Sequence, residues 1–373
     1  SVTGVRVGLV MEQCLAPVPG GTGRYSSELA RALAATAPDG STVTGWTAWH
    51  RDVAAARVPG VAGPRRLTAG RRALGALWAR GVGPGPRDGD VTHAPTLFAP
   101  PRRRRPLVVT IHDAVPWTHP ETLTRYGVAW HRRMAARVAR TADLVVVPTE
   151  AVAAELTTRL GLAGRVVVIG EGVSADLAAP PDAAERRRRL GIGDEAYAVT
   201  VATLEPRKGL DVALDALAHP SAADVPLVVV GPRGWGGIDV DAAAAQRGLT
   251  ASQVRALGRV SDQDLAAVVS GATMLVAPSR AEGFGLPVIE AMSLGVPVVV
   301  SSAPALVEVA GDAAVVTPVG DAVALAAAMA DLLDDAGRRA DLARRGRARA
   351  ARFTWRAAAD ALWAAYHSLA GRS

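Results

Sequence analysis

The motif Glu-Pro-Arg-Lys-Gly at 205–209 combines residue types that bind an anion, and it follows a predicted strand and opens a predicted helix. Arg207 and Lys208 therefore stand at a helix N-terminus, where two cations are unfavourable without a neutralising anion. A diphosphate fits, because Arg offers a planar fork of donors and Lys a compact charge. Lys208 is also the only lysine among 42 basic residues, which favours function over a solvated pair. A Schiff base with a carbonyl cofactor is the other chemistry open to a lone lysine, but an exposed loop beside Arg207 suits it poorly.

A second motif places two carboxylates beside backbone donors. Glu282 begins the turn Glu-Gly-Phe-Gly-Leu-Pro at 282–287, and Glu290 lies one turn into the following predicted helix. One carboxylate suits the hydroxyls of a sugar and the other a ribose diol. A paired-carboxylate hydrolase and two solvated acids are the alternatives.

The first half offers two further candidates. Pro-Gly-Gly-Thr-Gly at 19–23 follows the first predicted strand, and its glycines let the backbone approach a diphosphate or an acceptor. A plain strand-to-helix turn is the alternative. His112-Asp113 ends another predicted strand, where His112 is placed to contact a sugar, unless Asp113 holds it in a structural role. His93 is a second, weaker candidate.

The composition excludes several classes of protein. A hydrophobic content of 49% excludes a disordered chain, and the single cysteine, Cys14, excludes a disulfide framework and a cysteine-rich metal site. The net charge is +9 over residues 1–180 and −2 over 181–373. The basic half lacks nucleic-acid motifs, which leaves an anionic membrane surface or a phosphate-bearing acceptor as its partner.

No secretion signal or membrane-spanning run is apparent, so we expect a cytoplasmic protein, with peripheral contact at the inner face of the plasma membrane left open.

The elements that must position these residues alternate between short β-branched runs and Ala/Leu-rich amphipathic stretches, the pattern of parallel α/β sheets. The predicted strands are 5–11, 42–46, 91–94, 107–112, 144–148 and 166–169, then 198–202, 226–230, 254–257, 273–277, 296–300 and 314–317. Helices are predicted between them, for example at 23–35, 126–139, 210–218, 262–270 and 287–293, and two long helices over 322–369.

Residues 65–80 predict an amphipathic helix in the basic half. It sets Leu67, Leu74, Leu77 and Trp78 beside Arg71 and Arg72. Together with the arginines at 102–105, this helix could dock on anionic lipid. An ordinary packed helix with a solvated arginine face is the alternative.

Taken together, the motifs resemble the retaining glycosyltransferases of family 4, which have the GT-B fold. The matching segments also include Gly-Arg-Val-Ser-Asp at 258–262, and the resemblance covers essentially the whole chain. It implies an α/β architecture of two facing Rossmann-like, doubly wound parallel-sheet domains with an interdomain cleft. The expected domains are an N-terminal acceptor-binding domain at 1–175, a C-terminal donor-binding domain at 176–350, and a helix at 351–373 that crosses back to the first domain.

The resemblance also implies a role for each matching residue. The residues expected to act in catalysis are His112, Arg207, Lys208 and Glu282. The donor is expected to contact Gly20, Gly21, Arg207, Lys208, Arg259, Val260, Glu282, Gly283, Phe284, Gly285, Leu286 and Glu290. The acceptor is expected to contact Gly23, Tyr25, His93 and Asp113. The chain departs from the family at Glu171-Gly172, where Asn-Gly is usual, and at Val201-Ala202-Thr203, where many members have an Arg.

We therefore expect a retaining hexosyltransferase that needs no metal and no cofactor. GDP-mannose is the favoured donor and UDP-glucose the second, and the acceptor is a glycolipid, a polysaccharide or another cell-envelope precursor. A sugar-nucleotide epimerase, a cofactor-dependent phosphorylase, a transferase acting on a small natural product, and a donor-binding subunit without activity remain alternatives.

Overall fold

The computed structural model describes residues 4–222 and 225–371, which form two compact α/β units. The first unit holds the described residues up to Gly172 and those from Thr354 onward. The second unit is Val173–Phe353. Each unit is built on one parallel sheet with helices, as predicted for the GT-B fold.

The sheet of the first unit has seven strands in the described part of the chain. These strands are β1 (Arg6–Val10), β2 (Thr42–Thr47), β3 (Ala62–Arg66), β4 (Val91–Ala94), β5 (Leu107–Thr110), β6 (Leu144–Val147) and β7 (Val166–Val168). Their order is β3-β2-β1-β4-β5-β6-β7. The chain reverses its direction across the sheet between β1 and β4, and open α/β sheets bind ligands beyond the carboxyl ends of the strands at such a switch point.

Central strands such as β5 and β6 were predictable because they are short Val-rich runs buried on both faces. They pair in register, with Val108 opposite Leu144. The strand that the sequence did not predict is β3. It reads Ala-Gly-Pro-Arg-Arg, is mostly exposed and lies at the sheet edge, where a proline is tolerated and hydrophobic patterning is weak.

The sheet of the second unit has six strands among the described residues. These strands are β8 (Ala198–Val201), β9 (Leu227–Val230), β10 (Val254–Gly258), β11 (Met274–Ala277), β12 (Val298–Ser301) and β13 (Ala314–Thr317). Their order is β10-β9-β8-β11-β12-β13, so the switch point lies between β8 and β11. Buried side chains pack in separate clusters against this sheet.

Helices connect the strands in both units. In chain order they are α1 (Gly20–Ala35), α2 (Arg71–Ala79), α3 (Val115–Thr118), α4 (Arg125–Thr141), α5 (Glu150–Leu160), α6 (Ala183–Arg189), α7 (Leu210–Ala218), α8 (Val240–Ala245), α9 (Asp262–Ser270), α10 (Leu286–Ser293), α11 (Pro304–Ala310), α12 (Ala322–Asp334), α13 (Ala336–Ala350) and α14 (Trp355–Ala370).

The prediction of two long helices over 322–369 was wrong, because this stretch forms α12, α13 and α14. Asp335 accepts a hydrogen bond from the backbone N–H of Arg338 at 2.8 Å and so begins α13. Thr354 does the same for α14 through the N–H of Ala357 at 3.1 Å. Capping side chains of this kind begin a new helix where hydrophobic periodicity alone suggests continuation.

Helix α14 packs within the first unit. The indole N–H of Trp363 donates to the carbonyl oxygen of Leu33 in α1 at 3.1 Å. The ring of Trp355, at the start of α14, lies edge-on to that of Tyr25 at 5.6 Å.

Candidate active site

Two loops meet at the switch point of the second unit. Residues 202–209 follow β8 and residues 278–285 follow β11, and these two strands are neighbours. The backbone N–H of Arg280 donates to the carbonyl oxygen of Arg207 at 2.7 Å. The guanidinium of Arg280 also forms a two-bond pair with Asp211 in α7, at 2.8 and 2.6 Å. The alternation of strands and helices thus brings both predicted motifs to the same end of the sheet, where they contact each other.

Gly209 is required by this close approach. Its φ is +68°, and a Cβ there would lie 2.1 Å from the carbonyl oxygen of Pro278. Both the left-handed backbone and the missing side chain therefore hold the loop after β8 against the loop after β11.

Four charged side chains form a compact cluster where the loops touch. Lys208 Nζ lies 2.6 Å from Glu282 Oε1, and Arg207 contacts the other oxygen of Glu282 at 3.2 Å. Arg207 Nε also donates to Glu205 at 3.1 Å. The hydroxyl of Ser279 donates to Glu282 Oε1 at 2.8 Å. The carboxylates of Glu282 and Glu205 thus neutralise the two cations, so the sequence-based requirement for a ligand anion was too strict.

The electrostatics of the cluster keep Glu282 ionised. Burial alone would raise the pKa of Glu282, but the charges of Lys208 and Arg207 outweigh burial and lower it to about 2. Burial and the charge of Arg207 lower the pKa of Lys208, while Glu282 opposes them. Within the described chain, Lys208 Nζ makes a single hydrogen bond, to Glu282. An ammonium carries three donors, so two of its N–H bonds remain for a ligand.

The start of α10 adds backbone donors beside this cluster. Gly285, Phe284 and Leu286 surround its N-terminus, and Gly285 has a φ of +99°. No side chain caps this end of α10 in the described part of the chain, and helix N-termini favour negative charge. The Phe284 ring is buried edge-on to Phe353 at 5.4 Å, which anchors the turn that contains Gly283. Glu290 lies farther along α10 and is 6% exposed.

The remaining predicted donor residues follow β10 at the edge of the same sheet. Arg259 is exposed and Val260 is half-buried. Two strand spacings separate β10 from β8, which is about 10 Å. The strand order therefore places them at the same end of the sheet as the cluster, two strands away.

In the first unit, the predicted glycine loop is the first turn of α1, which begins at Gly20, three residues earlier than predicted. Gly20 and Gly21 are exposed, and no atom lies within 4 Å of a Cβ built at Gly21. Gly23 is buried, and a Cβ there would lie 2.4 Å from Cβ of Pro19. The first two glycines leave the backbone open to a ligand, whereas Gly23 serves packing.

His112 lies at the carboxyl end of β5 with both ring nitrogens engaged. Nε2 donates to the carbonyl oxygen of Pro95 at 2.8 Å, and Nδ1 lies 3.4 Å from Glu171. The ring is edge-on to that of Tyr25 at 4.6 Å. Burial would lower the pKa of His112, but the hydrogen bond and charge of Glu171 outweigh it and raise the pKa. Asp113 accepts a hydrogen bond from the N–H of Val115 at 3.1 Å and so orders the following turn.

Two of the predicted acceptor side chains lie in the core instead of at a binding surface. His93 is 0% exposed, with its nitrogens 2.5 Å from the Tyr366 hydroxyl and 2.9 Å from the Thr110 hydroxyl. Tyr25 is 2% exposed, and its hydroxyl lies 3.2 Å from that of Thr110. Both side chains contact the hydroxyl of Thr110, and His93 also contacts Tyr366 in α14. Acceptor contact by these side chains is therefore corrected to a structural role, which Gly23 shares.

The predicted lipid-docking helix is also corrected. Helix α2 begins at Arg71, while the preceding arginines belong to β3. Leu74 and Trp78 are 0% exposed and Leu67 is 4% exposed, because they pack into the core of the first unit. Three of the four apolar side chains expected to enter lipid are therefore already buried in protein, and Leu77 is partly buried against the same core.

The arginines at 102–105 line an open pocket of about 630 Å³ near the amino ends of β4 and β5. Arg102 pairs with Asp143 at 2.8 Å. None of the helices in the described segments has the length and apolar character needed to cross a bilayer. Over the same segments, no group of three or more His, Cys, Asp or Glu side chains is arranged to hold a metal ion.

Sequence reasoning missed two partners of the predicted site residues. Ser279 orients Glu282, and Glu171 contacts His112. Ser279 lies three residues before Glu282, and that proximity was the available signal. Glu171 stands where the Asn of Asn-Gly is usual, but its contact with His112 depends on the pairing of distant strands.

Comparison with known families covers most of the chain with two models. "Glycosyl transferases group 1" matches residues 182–349, and "Glycosyltransferase Family 4" matches residues 19–177. Among curated proteins, an O-antigen chain mannosyltransferase B from Escherichia coli is 32% identical over 54% of each chain. A D-inositol 3-phosphate glycosyltransferase from Nocardioides is 31% identical over 42% of this chain and 38% of its own. The aligned region thus spans about half or less of these relatives.

Solved structures resemble the whole fold. Sucrose-phosphate synthase from Thermosynechococcus elongatus matches with a TM-score of 0.80 at 23% identity, covering 99% of this chain and 100% of that one. HepE from Anabaena, in complex with UDP and glucose, matches with a TM-score of 0.76 at 20% identity, covering 98% and 100%. At these identities the likeness establishes the fold.

Proposed function

The chain belongs to the family 4 glycosyltransferases, and from this premise we propose that it transfers a hexose from a nucleotide diphosphate sugar to an acceptor hydroxyl with retention of configuration. Mannose is the sugar we favour.

The observation that carries this proposal is the cluster of Lys208, Arg207 and Glu282 at the switch point of the second unit. Lys208 presents two N–H bonds beyond its contact with Glu282. Glu282 stays ionised and accepts hydrogen bonds. Lys208 can bind the phosphates of a sugar diphosphate, and the neighbouring carboxylate of Glu282 can bind the hydroxyls of its sugar.

In the proposed reaction, negative charge develops on the diphosphate as the C–O bond between the sugar and the diphosphate breaks. Lys208, Arg207 and the N-terminus of α10 stabilise the negative charge that accumulates on the leaving phosphate. Glu282 orients the sugar by accepting from its hydroxyls. The acceptor oxygen forms the new bond on the face that the diphosphate leaves, and its proton passes to a phosphate oxygen. In this scheme the side-chain cations supply the stabilising charge, so the proposal includes no metal and no cofactor.

The other predicted contacts are proposed on the same basis. Glu290 holds the ribose, and Arg259 and Val260 line the base pocket. His112 contacts the donor sugar, and Gly20 and Gly21 contact the diphosphate or the acceptor.

The comparisons support a choice of substrates. The name of the Escherichia coli relative supports mannose and a cell-envelope acceptor, and therefore GDP-mannose. The Anabaena complexes with UDP and UDP-glucose support UDP-glucose as the second choice. A sugar-nucleotide epimerase, another enzyme of the same fold or a transferase acting on a small natural product is the alternative, and product analysis with and without acceptor separates them.

We also propose a cytoplasmic protein that contacts anionic lipid peripherally. The exposed arginines at 102–105 support the lipid contact. Helix α2 does not support it, because Leu74 and Trp78 are buried. Flotation with vesicles that contain or lack phosphatidylglycerol tests it. Equal flotation with both vesicle types contradicts this contact.

The transferase proposal is tested by a nucleotide-release assay against a donor panel. GDP-mannose should give acceptor-dependent release, with UDP-glucose next. Arg344→Ala is the matched control, because Arg344 lies on α13 with its side chain 74% exposed. The proposed transferase activity is contradicted if neither the wild type nor this control releases nucleotide from any donor, with or without acceptor extracts.

A further inference from the structure

The carboxyl edge of β1, β2 and β3 carries an exposed aromatic and basic patch that lies outside the residues predicted to contact donor or acceptor. Trp49 and His50 follow β2, Glu12 follows β1, and Arg71 begins the helix after β3. These strands are neighbours, so the segments meet at one edge of the sheet. This edge also bears the glycine loop and His112.

A buried carboxylate holds the patch together. Glu12 is 1% exposed and accepts from the backbone N–H of Ala48 at 2.8 Å. Its other oxygen lies 2.8 Å from His50 Nε2 and 3.6 Å from Arg71. Arg71 is also fixed over the ring of Phe98 at 5.2 Å. The positions of His50 and Arg71 are therefore set by the core rather than by solvent.

Trp49 lies next to His50 in this patch and is exposed. Its backbone N–H donates to the carbonyl oxygen of Ala69 at 2.9 Å, two residues before Arg71. The side chain is nevertheless 58% exposed, which leaves a large apolar face in water. Such a face suits the C–H side of a sugar ring, with polar groups around it to fix orientation.

The charge around the indole is predominantly positive. Arg51 and Arg72 are exposed and Arg71 is partly exposed. Of the neighbouring acids, Glu12 is buried, whereas Asp52 is exposed and accepts a hydrogen bond from the backbone N–H of Ala54 at 2.8 Å. Guanidinium groups recognise phosphate through paired hydrogen bonds.

We propose that this patch binds the acceptor, and that the acceptor carries a phosphate group on or next to a sugar that stacks on Trp49. The proposal rests on the transferase function and names its substrate class. In the sheet order β2 lies three strands from β5, which is about 14 Å from the strand that presents His112. The phosphate is therefore remote from the reacting hydroxyl, and the acceptor is longer than one sugar ring.

The test measures binding without donor, by calorimetry. The charged probe is mannobiose 1-phosphate and the uncharged probe is methyl mannobioside. The phosphate should tighten binding about tenfold or more, and an Arg51→Ala, Arg72→Ala double variant should lose that difference. Trp49→Ala should weaken both probes. Arg80→Ala is the matched control, since Arg80 is an exposed arginine at the other end of α2.

A lipid arm separates the two sources of the phosphate. Phosphatidylcholine vesicles are prepared with and without a polyprenyl phosphate mannobioside, and capture of the protein is measured. A lipid-linked acceptor is identified if only the vesicles with this lipid capture the protein, if the double variant is not captured, and if the soluble probe binds weakly. Equal binding of charged and uncharged probes, or no binding of any probe, overturns the proposal. Probe binding without nucleotide release from any donor contradicts the transferase function and leaves the site standing.

Discussion

Replacing Lys208 with Met tests the electrostatic cluster most sharply, because the side chain keeps most of its length and loses its charge. Charge-assisted hydrogen bonds contribute about 1.5–3 kcal/mol each. Loss of one such bond to the leaving phosphate should lower kcat/KM about ten- to a hundredfold. Arg207 remains next to Glu282 at 3.2 Å, so the fold should persist.

The same variant should change the pH dependence. In the native cluster the pKa of Glu282 is held at about 2, so the carboxylate is ionised throughout the ordinary assay range. Without Lys208, burial is opposed by Arg207 with the Ser279 hydrogen bond, and the pKa of Glu282 rises. Activity should then fall on the acid side at a higher pH than in the wild type.

The assay is nucleotide release as a function of donor concentration and pH, with Arg344→Ala as the control. Near wild-type kcat/KM in Lys208→Met, with an unchanged acid limb, refutes the role assigned to this lysine. A loss of activity with an unchanged thermal transition but no shift of the acid limb refutes the coupling to Glu282.

Three further predictions concern the surrounding structure. Glu171→Gln should lower the pKa of His112, because burial then acts with less opposition; a nitrogen NMR titration of the ring measures it, and an unchanged pKa contradicts the pairing. In the wild type this pair stabilises the fold below about pH 6.5 and ceases to do so as the pH rises through the raised pKa. Gly209→Ala should destabilise the second unit by at least about 1–2 kcal/mol, from the left-handed backbone alone, in denaturant unfolding; a midpoint equal to that of the wild type counts against the close approach of the loops. Tyr366→Phe should cost about 1–3 kcal/mol, because it leaves one nitrogen of buried His93 without its partner; an unaltered unfolding curve argues against the network that holds α14.

Much of the architecture was accessible from the sequence because buried parallel strands are Val-rich runs and helices begin at recognisable caps. Helices α7 and α9 begin and end at the predicted residues. Edge strand β3 was missed because its exposed Pro-Arg-Arg sequence carries no hydrophobic pattern. Such elements are specified by their neighbours, not by their own residues.

The candidate site was predictable where function lies in a local motif. The sequence indicated that Arg207, Lys208 and Glu282 would serve one ligand, and the structure brings them into contact. It did not indicate that His93 and Tyr25 are buried, because a histidine in a strand or a tyrosine in a helix has the same local pattern whether it faces solvent or the core. The contact between Glu171 and His112 likewise requires knowledge of which strands are adjacent.

In the proposed reaction a sugar moves from a nucleotide diphosphate to an acceptor with its anomeric configuration retained. Proton NMR of the anomeric signal during transfer from GDP-mannose, and then from UDP-glucose, tests it most directly. With retention, the α-configured donor gives an α-linked product as the nucleotide diphosphate appears. A β-linked product, or a new sugar nucleotide formed without transfer, contradicts it.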